Sequence, residues 1–298
     1  MNATDRLDAS PLHAQHYADR ATRVDAAVLQ NEPLARDTYR MRVDAAGIGQ
    51  RILPGQFMMV RVAGVDDPVL GRAFAVYDVV RDASGDAVAV DFVYLVHGKM
   101  TTAFARCEPG GRVELWGPLG NGFAAHDVDH LIMVAGGIGQ TPFLALGKEA
   151  LGREAYGDPR RLAPAVDRVT LCYGVRNASL LAGADDFREA GIDLRVASDD
   201  GSVGHHGLVT DLLSDLLAET AGTRRQVVCC GPEPMMQAVA EMCSDRGAPC
   251  QVSLETPMAC GIGICFSCVA QVKQPDGEWD YKRTCVDGPV FDADKIVW

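Results

Sequence analysis

The chain has 298 residues, 48% of them hydrophobic, with a formal net charge of −12 and a pI near 5.0. That length suits two domains and a small appended module, and the acidic balance argues against nucleic acid or an anionic membrane as the main partner. The polar start "MNATDRLDASPLHAQHYADR" lacks the apolar core of a secretory signal, and no apolar run nears the ~20 residues of a membrane span, so a soluble cytoplasmic protein is expected.

Residues 1–22 read as a flexible tail. From 23 to 125 the pattern is short strands with turn punctuation: "QFMMVRVAG", "GRAFAVYDVV", "AVAVDFVYLV" and "RVELWGPLG", separated by "DASGD" and "EPGG". β-branched and aromatic residues at this spacing predict an antiparallel β-barrel. From 126 to 250 the rhythm changes. The apolar strands "HLIMVAGG", "RVTLCYGV", "DLRVAS" and "QVVCCGP" alternate with the helical segments "TPFLALGKEAL", "GADDFREAG", "GLVTDLLSDLLAE" and "EPMMQAVAEMCSDRG". That alternation predicts an α/β domain with a doubly wound parallel sheet covered on both faces. Residues 251–298 leave this rhythm and form a cysteine-rich module.

In the barrel segment, Arg72 is a lone charge in an apolar stretch; its planar fork suits a diphosphate, and equally it fits a solvated strand edge. "VYLVHGKMTTAF" offers threonines that cap either a phosphate site or only their own helix. "GPLGNGF" reads as a rigid loop between the two domains. In "LIMVAGGIGQTPFLAL", Gly136, Gly137 and Gly139 lie between a strand and a helix. There the missing Cβ lets a diphosphate approach the backbone and the N–H groups of a helix start. Glycines of this kind also serve packing alone. "CGPEPM" ends a strand at the sheet edge where open α/β folds bind ligands. Cys230 there stands either beside a nicotinamide ring or as a buried core thiol.

Of the ten cysteines, six (Cys107, Cys172, Cys229, Cys230, Cys243, Cys250) are scattered in apolar or mixed contexts. The other four, Cys260, Cys265, Cys268 and Cys285, follow a C-x4-C-x2-C-x16-C spacing. Four thiolates hold either a tetrahedral zinc or an iron–sulfur cluster, and the first three gaps match the plant-type [2Fe–2S] arrangement rather than paired zinc knuckles. The glycines in "CGIGIC" let the backbone wrap closely and aim N–H groups at sulfur. On this reading the four side chains converge on one point.

Taken in order, the barrel, "GPLGNGF", "GGIGQTP", "CGPEPM", "CGIGICFSC" and "CVDGPVF" resemble the electron-transfer subunits of NAD-linked dihydroorotate dehydrogenases, a branch of the ferredoxin reductase superfamily. The likeness covers about Arg23 to the C-terminus, and the cysteine segment with "DGPVF" is its most specific part. The resemblance implies FAD on the barrel at Arg72, Ala73, Phe74, Ala75, Val93, Tyr94, Leu95, Met100 and Thr101. It implies NAD at Gly136, Gly137 and Gly139, and a [2Fe–2S] cluster on Cys260, Cys265, Cys268 and Cys285. It further implies a separate FMN-containing catalytic subunit, assembled with this chain as a heterotetramer, that oxidises dihydroorotate to orotate in pyrimidine biosynthesis. Electrons then pass through the cluster and FAD to NAD+. No catalytic residue is assigned.

The departures from the family pattern fall in the flavin loops. "RAFA" stands where R-P-[IFY]-S is usual, so the serine hydroxyl is absent at Ala75. Leu95 replaces a frequent arginine, and Met100 replaces a glycine. These changes are expected to alter flavin affinity and potential. Two other readings share much of the pattern. One is an NAD(P)H reductase subunit of a hydrogenase or of a ferredoxin:NADP oxidoreductase complex; the other is a zinc-binding regulatory protein on a relict reductase fold. The choice of NAD or NADP rests on charges near the adenosine ribose: Arg176 would receive a 2′-phosphate, and Asp199 or Asp200 would repel it.

Overall fold

The structure, a computed structural model, describes residues 18–125 and 127–298. The expected tail lies outside it over residues 1–17; within it, Ala18–Arg20 forms a short 3-10 turn and the first strand already begins at Thr22.

The first sheet has seven strands: β1 Thr22–Ala35, β2 Thr38–Val43, β3 Phe57–Val62, β4 Arg72–Ala75, β5 Asp78–Arg81, β6 Ala87–Leu95 and β7 Arg112–Leu119. Their order is β4-β3-β7-β1-β2-β6-β5, with every pair antiparallel. β1 is long enough to serve two neighbours. Its first half pairs with β7 through Thr22–Ala27, and its second half pairs with β2 after a register shift between Val28 and Gln30. Such a bulge bends a strand and increases its twist, which curls the sheet into a half-barrel. Inside lie Met41, Val43, Val60, Phe92, Tyr94 and Phe104, where Phe74 stacks on Phe92 with ring centroids 5.0 Å apart. Two short helices, α1 Ala46–Gly49 and α2 Lys99–Phe104, close its ends.

The second sheet contains β8 His130–Gly136, β9 Arg168–Val175, β10 Asp193–Ser198, β11 His205–His206, β12 Arg225–Cys230, β13 Cys250–Ser253 and β16 Val290–Asp292. The order is β11-β10-β9-β8-β12-β13-β16, parallel throughout except for β16, which runs antiparallel to β13. β8 is buried over six consecutive residues, as a central strand covered on both faces must be. Helices α3 Phe143–Ala150 and α4 Ala184–Glu189 supply Phe143, Leu144 and Phe187 to one face. Helices α5 Val209–Glu219 and α6 Glu233–Asp245 supply Leu213, Leu216, Met236 and Val239 to the other. Successive crossovers leave β8 in opposite directions, so the crevice of this sheet opens at the carboxyl ends of β8 and β12.

The last segment adds a hairpin, β14 Val269–Lys273 with β15 Trp279–Arg283. Its Asp276-Gly277 turn is a short-range hairpin signal that the sequence reading passed over. β13 straddles position 251, and the chain then returns through β16 to the edge of the same sheet. The final segment is therefore clipped onto the second sheet by a ladder.

Candidate functional site

The cysteine loop runs from β13 to β14 with no regular secondary structure, and tertiary contacts hold it in place. Gly261 takes φ +72°, and a Cβ there would fall 2.5 Å from Cγ of Met59 on β3, so only glycine lets the loop lie this close to the barrel. Trp116 on β7 donates its indole N–H to the carbonyl of Cys260 at 3.0 Å. Cys265 is exposed, Cys260 half-buried, and Cys268 and Cys285 buried.

The four sulfurs form two pairs. Cys265 lies against Cys260 and Cys268 against Cys285, and the pairs are near enough for Cys260 to act on Cys285 electrostatically. Among the described residues, no group of three or more His, Cys, Asp or Glu side chains closes around a single ion. A [2Fe–2S] cluster takes two ligands at each iron, so two facing pairs suit it. Ser267, with its hydroxyl 3.2 Å from the sulfur, draws the Cys265 thiol down to about 6, helped by Cys260. Cys285 draws the Cys268 thiol down to about 6, while the same contact pushes Cys285 up. The backbone N–H of Ile262 donates to Sγ of Cys260 at 3.4 Å. Thiolate is the ligand form, and the loop favours it at Cys265 and Cys268.

Beside the loop lies a cleft of about 340 Å³. Arg72, Ala73, Phe74, Ala75, Val93, Tyr94, Leu95 and Thr101 all line it, so β4, β6 and α2 bring eight of the nine expected flavin residues together. Met100 is the exception. It is buried in the half-barrel core, because the first turn of α2 points it inward while Thr101 faces the cleft. The Thr101 hydroxyl is engaged in its own turn, accepting from the His97 N–H at 2.7 Å. Arg72 folds its Nη1 back onto the carbonyls of Leu70 and Gly71, at 3.0 and 3.1 Å.

A larger cleft of about 1110 Å³ adjoins the first, sharing Leu95, Ile138, Leu254, Glu255 and Thr256 with it. Gly136 and Gly137 line it at the end of β8. Gly139 does not: its virtual Cβ meets the carbonyl oxygen of Cys230 at 2.3 Å, so this glycine serves close packing of the turn against β12. Arg176 and Asp199 both border the larger cleft, while Asp200 does not.

The sequence reading did not find Glu255. It stands just past the end of β13 where the two clefts meet, facing cleft solvent but ringed by protein, and its surroundings push its carboxyl up. A single glutamate after a short strand gives no sequence signal; only the fold brings it beside Cys230. Cys230 itself is buried at the smaller cleft, and burial, with Glu255 second, pushes its thiol well up. Three residues join the regions. Phe57, Ala73 and Met258 line the smaller cleft and also pack in the apolar cluster that contains Cys268 and Cys285. The "GPLGNGF" and "DGPV" motifs meet here as well. Asn121 donates its side-chain amide to the carbonyl of Val290 at 2.7 Å and accepts from the Val290 N–H at 3.1 Å.

Three family models match the chain in series: an oxidoreductase FAD-binding domain over 25–123, an oxidoreductase NAD-binding domain over 133–241, and the iron–sulfur cluster binding domain of dihydroorotate dehydrogenase B over 255–297. The dihydroorotate dehydrogenase B (NAD(+)) electron transfer subunit of Desulforamulus reducens is 34% identical over 277 residues, covering 92% of this chain and 98% of that protein. The chain belongs to this family. The electron transfer subunit of Caldanaerobacter subterraneus subsp. tengcongensis is also similar, at 31% identity over 93% of this chain and 99% of its own length. Among solved structures, an NADH-dependent reduced ferredoxin-NADP oxidoreductase studied for flavin-based electron bifurcation matches with TM-score 0.76 and 25% identity, covering 92% of this electron transfer subunit homologue and 90% of that chain. A ferredoxin NADP+ reductase from Neisseria gonorrhoeae, with FAD and NADP bound, shares the fold at TM-score 0.60 and 18% identity over 76% and 92% of the two chains. The family member described here is thus an oxidoreductase with FAD-binding, NAD-binding and iron–sulfur binding domains in that order. Among its described residues no helix is long and apolar enough to cross a membrane.

Proposed function

We propose that this chain carries electrons from a dihydroorotate-oxidising, FMN-containing partner subunit to NAD+ in pyrimidine biosynthesis, the two subunits assembling as a heterotetramer. Cys260, Cys265, Cys268 and Cys285 hold a [2Fe–2S] cluster. Arg72, Ala73, Phe74, Ala75, Val93, Tyr94, Leu95 and Thr101 hold FAD. Gly136 and Gly137 receive the diphosphate of NAD, with Cys230 and Glu255 beside the place where the two clefts meet. The domains run 23–125, 126–250 and 251–298. The observation that carries this reading is the shared wall of Phe57, Ala73 and Met258, which joins the apolar cluster around the buried cysteine pair to the flavin-side cleft.

A flavin, when bound, joins a one-electron cluster to a two-electron nicotinamide. The chain's residues order the sites for that exchange. Cys268 and Cys285 are buried, so the inner pair packs against apolar side chains that also line the cleft rather than against water. Cys265 is exposed, which leaves the outer pair open to a docking partner. Oxidation of dihydroorotate to orotate releases two electrons and two protons. NAD+ takes both electrons with one proton, and the other proton leaves to solvent. Glu255 stands at the junction, where desolvation pushes its carboxyl up.

The test is co-purification under anaerobic conditions followed by turnover. The chain and its partner together should form NADH from dihydroorotate and NAD+, while the chain alone should reduce dyes with NADH but leave dihydroorotate untouched. Absence of flavin and iron from the purified chain would end the proposal. The likeness to the bifurcating ferredoxin-NADP oxidoreductase favours one other reading, a reductase subunit of such a complex. Co-purification with a ferredoxin-reducing flavoprotein, with no response to dihydroorotate, would select it.

A further inference from the structure

No ladder holds the loop between Cys260 and Cys268, yet one of its residues is gripped from both sides. Gly263 lies against the side chain of Val286, the residue after Cys285. Its carbonyl accepts a hydrogen bond from Nη1 of Arg283 at 2.8 Å. Arg283 ends β15 and Cys285 and Val286 follow in the turn after it, so this segment holds Gly263 like a clip. The guanidinium also lies over the ring of Phe266, 5.0 Å from its centroid. Phe266 is a non-glycine residue with φ +56°, a backbone state that an L-residue keeps only when its surroundings impose it.

Arg283 is itself fixed. Its Nε stands 3.7 Å from the carboxylate of Asp287, and its own N–H donates to that carboxylate at 2.8 Å. The side chain is only 18% exposed, so water screens it weakly. Gly263 takes φ +82°, and a Cβ there would press on the Val286 side chain at 3.1 Å, so the position favours glycine.

We infer that Arg283 is a positioning residue for the iron–sulfur cluster, fixing the loop between Cys260 and Cys268 at the Gly263 carbonyl and the Phe266 ring and setting its guanidinium against that loop. The inference rests on the proposed role of the four cysteines. Hydrogen bonds to sulfur and local charge both set a cluster's reduction potential. A cation and an N–H···S bond each stabilise the reduced, more negative state, so both raise the potential. Only a planar fork can hold a carbonyl, face a ring and meet a carboxylate together, and a lysine ammonium cannot reproduce this. Arg283 lines neither cleft; it acts through the loop.

The experiment uses the full chain, anaerobically reconstituted with iron and sulfide, as wild type, Arg283→Gln, Arg283→Lys and Phe266→Ala. Flavin content serves as the check on folding. Two quantities are read: the cluster midpoint by EPR-monitored titration, and the rate of iron loss to a chelator. Arg283→Gln should lower the equilibrium constant for cluster reduction about tenfold, ~59 mV for one electron, and speed iron loss about tenfold. Arg283→Lys should recover the midpoint but not the chelator resistance, and Phe266→Ala should speed iron loss with the midpoint unchanged. If Arg283→Gln takes up no cluster, the lysine and alanine variants decide. Wild-type midpoint and iron loss across the series would overturn the inference. Failure of the wild type to hold iron would instead sink the proposed function beneath it.

Discussion

The cysteine loop and the flavin-side cleft share a wall but are built in opposite ways. The cleft is framed by β4 and β6, each paired along its length with a neighbour, so its backbone is fixed many times over. The loop has no such frame. Its shape depends on a few contacts that each occur once: the Trp116 bond to Cys260, the Gly261 contact with Met59, and the Arg283 bond to Gly263. Backbone supported by a ladder tolerates side-chain change, whereas a loop held at single points fails at any of them. The two regions should therefore answer mutation differently.

The largest effect belongs to the loop. Cys285→Ser should abolish iron and sulfide binding while flavin content stays near wild type, as measured by metal and sulfide analysis beside flavin absorbance. Loss of flavin in the same variant would break the comparison, since the cleft would then depend on the loop.

The next effect comes through acid and strikes the sheet. His130 on β8 is buried with its Nε2 2.9 Å from the Thr170 hydroxyl, and burial pulls it down to about 4. Its folded value lies below the unfolded value, so the unfolded chain binds more protons between them. The contribution is therefore complete above about pH 6.5 and disappears as pH falls toward about 4, a loss of about 3 kcal/mol. His130→Gln should flatten that part of the stability profile in urea unfolding, and an unchanged slope would contradict the assignment.

A smaller cost should follow Gly139→Ala. The new methyl meets the Cys230 carbonyl, a backbone atom that cannot rotate away, and overpacking of this kind costs about 1–3 kcal/mol. A midpoint in denaturant equal to wild type would show that the turn yields. Smallest is Ala75→Ser. Ala75 lines the cleft opposite Phe57 on a paired strand, so a hydroxyl can be added without moving the frame. One added hydrogen bond is worth about 1 kcal/mol, so flavin should bind roughly fivefold tighter. Weaker binding would show that the cleft does not present position 75 to the flavin.

The same contrast explains what the sequence made legible. The four cysteines announced themselves because no other side chain supplies soft sulfur at that spacing, and both sheets followed from hydrophobic rhythm. The pairing of the sulfurs was not legible, because it depends on where the turn after β15 returns Cys285. Met100 was misplaced for a related reason: a position in a loop motif does not say which side of a six-residue helix faces the ligand. Gly139 looked like a phosphate glycine and is a packing glycine, a difference that appears only once β12 lies beneath it. Glu255 carried no pattern at all. Its place at the junction of the clefts is a property of the assembled sheet.

The most direct test of the account is reduction of the anaerobic full chain by NADH, followed by EPR and by flavin absorbance on the same sample. Bleaching of the flavin together with a signal from a reduced [2Fe–2S] cluster is predicted, with Cys268→Ser keeping the bleaching and losing the signal. A wild-type chain that bleaches without any cluster signal, or a Cys268→Ser chain whose signal is unchanged, would contradict it.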